Sequence, residues 1–165
     1  MKISVIYDSK TGNTETVAQY MVKGMESVSG VQARTFRYDR IDEDFVKASD
    51  GLVFGCPTYM GGPTADFYGF LEKKAGELAL AHKLGGAFAT EQYIHGGADL
   101  TIMRIVEHLM VMGMMVYSGG AGCGDPVIHY GPVEVSAMGA EKFRDLFETY
   151  GRRFAEQAVS IGKQL

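Results

Sequence analysis

The chain has 165 residues, a formal net charge of −4 and 46% hydrophobic residues. This length and composition predict one globular domain, spanning residues 1–165, with a substantial hydrophobic core. The mildly acidic charge gives no electrostatic reason to expect nucleic acid or an anionic membrane as a partner. The longest apolar stretch is too short to span a bilayer, and a strand-like run follows Met1-Lys2 without a signal peptide. We therefore expect a cytoplasmic protein.

Strand-like and helical patterns alternate along the chain. Short apolar, β-branched runs predict strands at 2–7, 31–38, 51–55, 84–90 and 114–120. Apolar residues at helical spacing predict helices at 11–28, 65–74, 99–112 and 141–159. This alternation predicts a parallel sheet with helices on both faces, and the second strand, which carries Arg34 and Arg37, suits an outer edge. Five such strands fit an α/β, flavodoxin-like three-layer sandwich of sheet order 2-1-3-4-5. Segment 118–139 is predicted as a structureless loop, and loops of that length are often functional.

Small polar residues follow the first predicted strand, in the sequence YDSKTGNTET. Gly12 permits a tight turn, and the first N–H groups of the next helix are unpaired at its positive end. Such a loop can hold a phosphate monoester without a cation. An ordinary helix cap formed by Asn13 and Thr14 is the alternative. The spacing matches neither a P-loop nor a dinucleotide-binding loop, which argues against nucleotide hydrolysis. The candidate phosphate-binding residues are Ser9, Lys10, Thr11, Gly12, Asn13 and Thr14.

Two further loops follow the third and fourth predicted strands, at the edge of the sheet where ligands bind in open α/β folds. In the first of these loops, Tyr59 and Met60 offer a flat ring and a thioether that suit a flavin, although Tyr59 could pack on its own scaffold instead. In the second, the polar groups could bond the edge of a flavin ring, and Asp99 is expected to cap the following helix. The candidate cofactor contacts in these loops are Pro57, Thr58, Tyr59, Met60, Gly61, Thr90, Glu91, Gln92, Gly96 and Gly97.

The three loops resemble those of known flavoproteins. SKTGNTET looks like the FMN-phosphate loop of flavodoxins. Pro57, Thr58 and Gly61 match the P-T-x-x-G pattern of NAD(P)H:quinone oxidoreductases of the tryptophan-repressor-binding-protein family and of related NAD(P)H-dependent FMN reductases. His95-Gly96-Gly97 with nearby Asp99 matches the H-G-G pattern that follows the fourth strand in many members. Segment 118–139 departs from their pattern beyond Tyr130-Gly131, which leaves the electron acceptor open.

This resemblance implies an enzyme that transfers hydride from NAD(P)H through FMN to a quinone or similar small-molecule acceptor. It also implies a homodimer or homotetramer. His95, in the third loop, is the candidate catalytic residue because it could stabilise negative charge near the flavin, although it could equally bond only the local backbone. The alternative is a flavodoxin-type electron-transfer protein that binds FMN and needs a partner reductase. A cofactor-free regulatory module is a third class, which the complete first loop disfavours.

The remaining candidate groups predict no metal site. Cys56 and Cys123 lack C-x-x-C spacing, and the four histidines lack metal-ligand spacing. Both cysteines are expected to be small buried hydrophobic residues, and the strand between them should prevent a disulfide. The helix at 99–112 is apolar around much of its circumference, which favours an oligomer through that helix over a deeply covered helix in a monomer.

Overall fold

The computed structural model describes residues 1–162, which form an α/β sandwich. Its strands are β1 (Lys2–Tyr7), β2 (Gln32–Arg37), β3 (Gly51–Tyr59), β4 (Gly62–Pro63), β5 (Leu84–Glu91), β6 (Met115–Val116) and β7 (Val133–Val135). Its α-helices are α1 (Asn13–Glu26), α2 (Glu43–Lys47), α3 (Ala65–Lys74), α4 (Ala98–Val111) and α5 (Arg144–Gly162). No helix in this described part of the chain is long and apolar enough to cross a membrane.

The main sheet has the order β2-β1-β3-β5-β6. Its strands pair in parallel, and β2 forms one edge, as its two arginines predicted. Helices α1 and α5 cover one face, where their core includes Val17, Met21, Phe147 and Phe154. Helices α2, α3 and α4 cover the other face. The flavodoxin-like fold class predicted from the alternation of strands and helices is therefore confirmed.

The last strand of the sheet is divided into two short pieces. β6 pairs with Leu84 and Gly85 at the start of β5, whereas β7 pairs with Ala89, Thr90 and Glu91 at its end. The prediction of one strand over 114–120 followed by a structureless loop was therefore wrong. Segment 118–139 contains β7 and short 3₁₀ turns. The chain leaves the sheet edge after Val116 because the glycines that follow adopt positive φ angles, +83° at Gly119 and +33° at Gly120.

The excursion between the two pieces, residues 117–132, is attached to α5 by two buried side chains. Arg153 donates to the carbonyl oxygens of Asp125 at 2.7 Å and Pro126 at 3.0 Å. The hydroxyl of Tyr150 donates to the carbonyl of Tyr117 at 3.1 Å. Tyr150 also belongs to the core between α5 and the sheet, so the excursion is held by the same helix that covers the core.

Helices α1 and α5 approach each other closely through a reciprocal pair of glycines. A Cβ on Gly24 of α1 would overlap the carbonyl oxygen of Glu148 on α5. A Cβ on Gly151 of α5 would likewise overlap the carbonyl oxygen of Met21 on α1. Both obstacles are backbone atoms, which no side-chain rotation can move away. The distance between the two helices therefore depends on the absence of a side chain at these two positions.

Candidate functional site

Three loops meet at the carboxyl ends of β1, β3 and β5, and hydroxyl groups link them. The Oγ1 atoms of Thr14 and Thr90 lie 2.9 Å apart, joining the first turn of α1 to the end of β5. The hydroxyl of Thr64, just before α3, donates to the Asp8 carboxylate at 2.7 Å. Thr101 of α4 donates to Thr58 at 3.0 Å, which ties the end of β3 to the third loop region. The candidate cofactor residues predicted from the sequence are therefore brought to one edge of the sheet.

The first loop presents backbone N–H groups to its open side. Gly12, at φ +95°, is the N-cap residue of α1 and has no side chain with which to cap the helix. The Oγ of Ser9 accepts from the N–H of Gly12 at 3.1 Å and, more weakly, from that of Glu15 at 3.4 Å. Within the described residues the N–H groups of Asn13 and Thr14 have no acceptor. A cap formed by Asn13 and Thr14 therefore does not explain this sequence, and their free N–H groups suit an anion.

Lys10 is paired with carboxylates. Its ammonium lies 3.2 Å from Asp66 on α3 and 3.9 Å from Asp8. The hydrogen bond to Asp66, with the charge of Asp8 in support, raises the pKa of Lys10 above its usual value. The loop therefore offers an anion backbone N–H groups and hydroxyls, with its own cation already paired.

Asp8 is a fully buried carboxylate that the sequence analysis did not single out. One oxygen accepts from Thr64, while the other, Oδ1, has no hydrogen bond within the described residues and lies 3.8 Å from Nη2 of Arg37. Asp8 thereby connects the first loop with the start of α3 and with the end of β2. In the sequence, Asp8 stands out only as a charged residue directly after the apolar run KISVIY. A carboxylate buried at that position requires compensating cations.

The second loop is a hairpin extension of the sheet. β3 continues to Tyr59, beyond the predicted end at residue 55, and turns back through Met60 and Gly61 at positive φ into β4. The side chains of Tyr59 and Met60 are exposed. A Cβ on Gly97 would lie 2.9 Å from the Cα of Gly61, so the hairpin tip rests against the start of α4.

An open cavity of about 670 Å³ lies on the outer side of this hairpin. Its lining is mainly apolar and includes Tyr59, Met60, Tyr68, Leu100 and Arg104. The two predicted ring contacts therefore border a space of the size that small-molecule sites have in proteins.

The third loop uses two of its predicted polar contacts within the protein. The carboxylate of Glu91 accepts from the N–H of Ala98 at 3.0 Å, at the start of α4. The expectation that Asp99 caps α4 was wrong, because Gly97 is the N-cap residue and the side chain that bonds the first N–H of the helix is that of Glu91. Glu91 reaches the start of α4 from the end of β5, and the spacing typical of a helix cap does not indicate such a bond. Thr90 is already paired with Thr14.

The other polar side chains of the third loop are open to solvent. Gln92 and His95 are exposed, and His95 has φ +64°. His95 borders a cavity of about 490 Å³ together with Ile94, Gly97, Leu100 and Val133. Because the side chain is exposed, His95 is accessible to a ligand at this loop.

The two cysteines are free thiols in different environments. Cys56 is buried as expected, and burial raises its pKa to about 12, so its thiol stays protonated and unreactive at neutral pH. Cys123 lies exposed on the excursion, which corrects the expectation that both cysteines are buried.

Glu134 is a second buried carboxylate near the first loop. It pairs in register with Thr90, the partner of Thr14. Ser136 donates to its Oε2 at 2.8 Å, while Oε1 is buried without a hydrogen bond in the described structure. Burial, with a smaller contribution from the charge of Glu141, raises the pKa of Glu134, and the Ser136 bond opposes this shift.

This raised pKa predicts that ionisation of Glu134 lowers the stability of the fold as pH rises. A carboxyl whose folded-state pKa exceeds its unfolded value stabilises the fold relatively below the unfolded pKa, and that benefit is lost as pH rises through the folded pKa. We expect Glu134→Gln, which cannot ionise, to gain stability relative to the natural protein as pH rises above about 4, the pKa of an unfolded glutamate. Denaturant titrations of both proteins across this range measure the difference, and parallel stability curves would contradict the assignment.

Comparison with known proteins identifies the family. The family model described as Flavodoxin matches residues 5–94, more than half of the chain, and the protein therefore belongs to the flavodoxin family. A flavodoxin from Clostridium saccharobutylicum is 37% identical over 161 residues, covering 98% of this chain and 99% of that protein. An NAD(P)H dehydrogenase (quinone) from Chromohalobacter salexigens is 30% identical over 146 residues, covering 74% and 73%.

A solved structure supports the same fold. The chain superposes on a flavodoxin, WrbA-like protein from Agrobacterium tumefaciens with a TM-score of 0.77, at 23% identity, covering 96% of this chain and 98% of that one. This superposition shows the fold, while the family model and the flavodoxin relative confirm the resemblance to the flavodoxin family. The relative named flavodoxin matches more of the chain, and at higher identity, than the quinone dehydrogenase does.

Proposed function

We propose that this protein is an electron-transfer flavodoxin that binds FMN at the three loops. The observation that carries the proposal is the first loop. There the unpaired N–H groups at the start of α1 follow Gly12, which has no side chain to obstruct an anion. Similarity along nearly the whole chain to a protein named flavodoxin supports it. This proposal reverses the order favoured by the sequence resemblance, which placed the quinone oxidoreductase first.

The residues present fit the parts of FMN. The N–H groups of Asn13 and Thr14, with the exposed hydroxyl of Thr11, would hold the phosphate. Tyr59 and Met60 would contact the ring, since both are exposed on the hairpin beside the loop. Backbone groups at Gly96 and Gly97, with the exposed amide of Gln92, would bond the polar edge of the ring.

The chain's own groups would set the environment of the cofactor. Bound FMN supplies the redox chemistry, and the protein supplies position and electrostatics. The hairpin and the third loop would exclude water from part of the ring, held in place by the Gly97–Gly61 contact and the Thr101–Thr58 bond. Asp8 and Glu134 place two buried carboxyl groups near the first loop, and negative charge near a cofactor opposes its reduction.

A second candidate function is an NAD(P)H-dependent quinone reductase that uses the same FMN site. It is supported by the similarity to the quinone dehydrogenase and by the mainly apolar cavity beside Tyr59 and Met60, which suits a flat acceptor. For this function NAD(P)H is the co-substrate, and His95 is the candidate for stabilising negative charge.

Comparison of FMN with riboflavin tests the cofactor assignment, because the two differ only by the phosphate. Titration of the apoprotein, followed by quenching of flavin fluorescence, should give much tighter binding for FMN. Thr11→Ala should weaken FMN binding about 10-fold or more, the value of one hydrogen bond to a charged group, and leave riboflavin binding unchanged. Thr149→Ala, on α5, is the matched control and should change neither affinity. Equal affinities for FMN and riboflavin would remove the phosphate site from the proposal.

A spectrum of the FMN-loaded protein under anaerobic conditions separates the two functions. An electron-transfer flavodoxin should keep its flavin absorbance band after NADH or NADPH alone and lose it when a flavodoxin reductase is added. Rapid bleaching by NAD(P)H alone would favour the quinone reductase, and quinone-dependent turnover would then be measured with the natural protein and with His95→Ala.

A further inference from the structure

Glu134 is a buried carboxyl group with a single hydrogen-bond donor in the described part of the chain. Its side chain is 0% exposed, Ser136 donates to Oε2, and Oε1 has no partner there. None of the ion pairs among the described residues includes Glu134. Asp8, the other buried carboxyl near the first loop, has Lys10 and Arg37 within 4 Å. Glu134 therefore lacks the compensation that a buried negative charge requires.

Glu134 lies beside the free N–H groups of the first loop. It pairs in register with Thr90 on parallel strands about 4.8 Å apart, so the two side chains point to the same face of the sheet. On that face the Thr90 hydroxyl lies 2.9 Å from the hydroxyl of Thr14, which also supplies one of the free N–H groups. One residue, Thr90, therefore stands between Glu134 and the residue that offers an N–H group to a phosphate.

The charged groups around Glu134 do not offset a negative charge on it. Burial and then the charge of Glu141, on a turn that packs on both α1 and β7, raise the pKa of Glu134. Lys142 on the same turn is exposed, and Arg144 at the start of α5 lies over an aromatic ring of α1. In the first turn of α1, Glu15 accepts from a tyrosine hydroxyl of β1. A phosphate at the first loop would add close to two further negative charges above pH 7.

We propose that Glu134 takes up a proton when the phosphate of FMN binds at the first loop. This inference rests on the proposed FMN site. Ionised Glu134 and a phosphate dianion would repel each other at short range inside the protein, where water screens little. The phosphate would be held by N–H groups, whereas Glu134 has only Ser136, so the proton goes to Glu134. A proton from solvent at Oε1 removes the repulsion and leaves the bond from Ser136 to Oε2 in place.

Calorimetric titration of the apoprotein with FMN measures this proton. Titrations between pH 6 and pH 9, each in two buffers of different ionisation enthalpy, give the number of protons taken up on binding. We expect uptake approaching one proton at its maximum. FMN affinity should fall by up to about 10-fold per pH unit where the uptake is complete. Riboflavin has no phosphate, so its binding should take up no proton through Glu134.

Glu134→Gln isolates the contribution of this carboxyl, because the amide cannot ionise and can still accept from Ser136. The variant should take up fewer protons than the natural protein, by up to one. Toward pH 9 it should bind FMN about 10-fold tighter or more, the effect of one pH unit of linkage. The ionisation of the phosphate itself, with a pKa of about 6, is common to both proteins. Glu141→Gln, at an exposed carboxylate nearby, is the matched control and should keep most of the uptake.

Ser136→Ala provides an independent measurement. It removes the donor that favours the ionised form of Glu134, so the pH of maximal proton uptake should rise. Equal uptake by the natural protein and Glu134→Gln at every pH would overturn the inference, as would riboflavin uptake equal to that of FMN. Tight FMN binding without uptake at Glu134 would remove this inference alone. FMN binding no tighter than riboflavin binding would remove the proposed function and this inference with it.

Discussion

Replacing Gly151 with alanine is expected to lower the free energy of unfolding by about 3 kcal/mol, at the upper end of the range for an overpacked core. The new Cβ would overlap the carbonyl oxygen of Met21, and only a movement of α1 relative to α5 can relieve it. Helix propensity alone predicts the opposite sign, since alanine is favoured over glycine in a helix by about 1 kcal/mol. Denaturant unfolding followed by circular dichroism measures the change.

Gly69 provides the matched control, because it lies inside α3 and a Cβ added there would have no other atom within 4 Å. Gly69→Ala should therefore raise the free energy of unfolding by up to about 1 kcal/mol. Gly24→Ala should behave like Gly151→Ala, because it meets the Glu148 carbonyl at the same helix crossing. Stabilisation by Gly151→Ala equal to that by Gly69→Ala would contradict the close approach of α1 and α5.

Replacing Arg153 with methionine is expected to cost about 3 kcal/mol and to loosen the excursion at residues 117–132. Methionine preserves much of the buried volume but loses two charge-assisted hydrogen bonds, to the carbonyls of Asp125 and Pro126. Amide hydrogen exchange should accelerate in the excursion more than in the sheet, because α5 would still pack through Tyr150 and Phe154.

The neighbouring arginine tests the specificity of that effect. Arg152 lies on the exposed side of the same helix and pairs with Glu156 at 3.0 Å. Such a surface pair contributes at most about 1 kcal/mol, so Arg152→Met should change stability little and leave exchange in the excursion as it was. Equal effects of the two substitutions would contradict the role of Arg153 as the attachment of the excursion.

Periodicity and loop position in the sequence predicted most of the fold. The helical spacing of Val17, Met21 and Met25 marks the buried stripe of α1, and the two arginines of β2 mark an edge strand. These predictions succeed because one buried face imposes a regular pattern on a helix or strand. β7 was not predicted, because its three residues are too few to show a period and because it lies among glycines and prolines.

The site was predictable in position and less so in its internal bonds. Glycines and hydroxyls after the strands located the three loops, since ligands in this fold bind at the carboxyl ends of the strands. The bonds from Asp8 to Thr64 and from Thr14 to Thr90 join residues more than 50 positions apart in the chain. Glu91 bonds the start of α4 in place of the adjacent Asp99 because the third loop folds back and brings the end of β5 to Ala98, 7 positions further along the chain. Only the tertiary fold sets such partners.

The division of the last strand makes the fold tolerant of length changes at one place. The chain leaves the edge of β5 after pairing with Gly85 and returns to the same edge at Ala89, about 13 Å further on at the rise of a parallel strand. Three residues of continuous strand would span that gap, whereas residues 117–132 connect the two pieces in this protein. Lengthening the exposed part of this segment, residues 121–124, changes neither strand order nor connection handedness, leaves Ile128 and the carbonyls bonded by Arg153 in place, and costs little loop-closure entropy. A foreign peptide inserted at residues 121–124 therefore requires no redesign of the sheet.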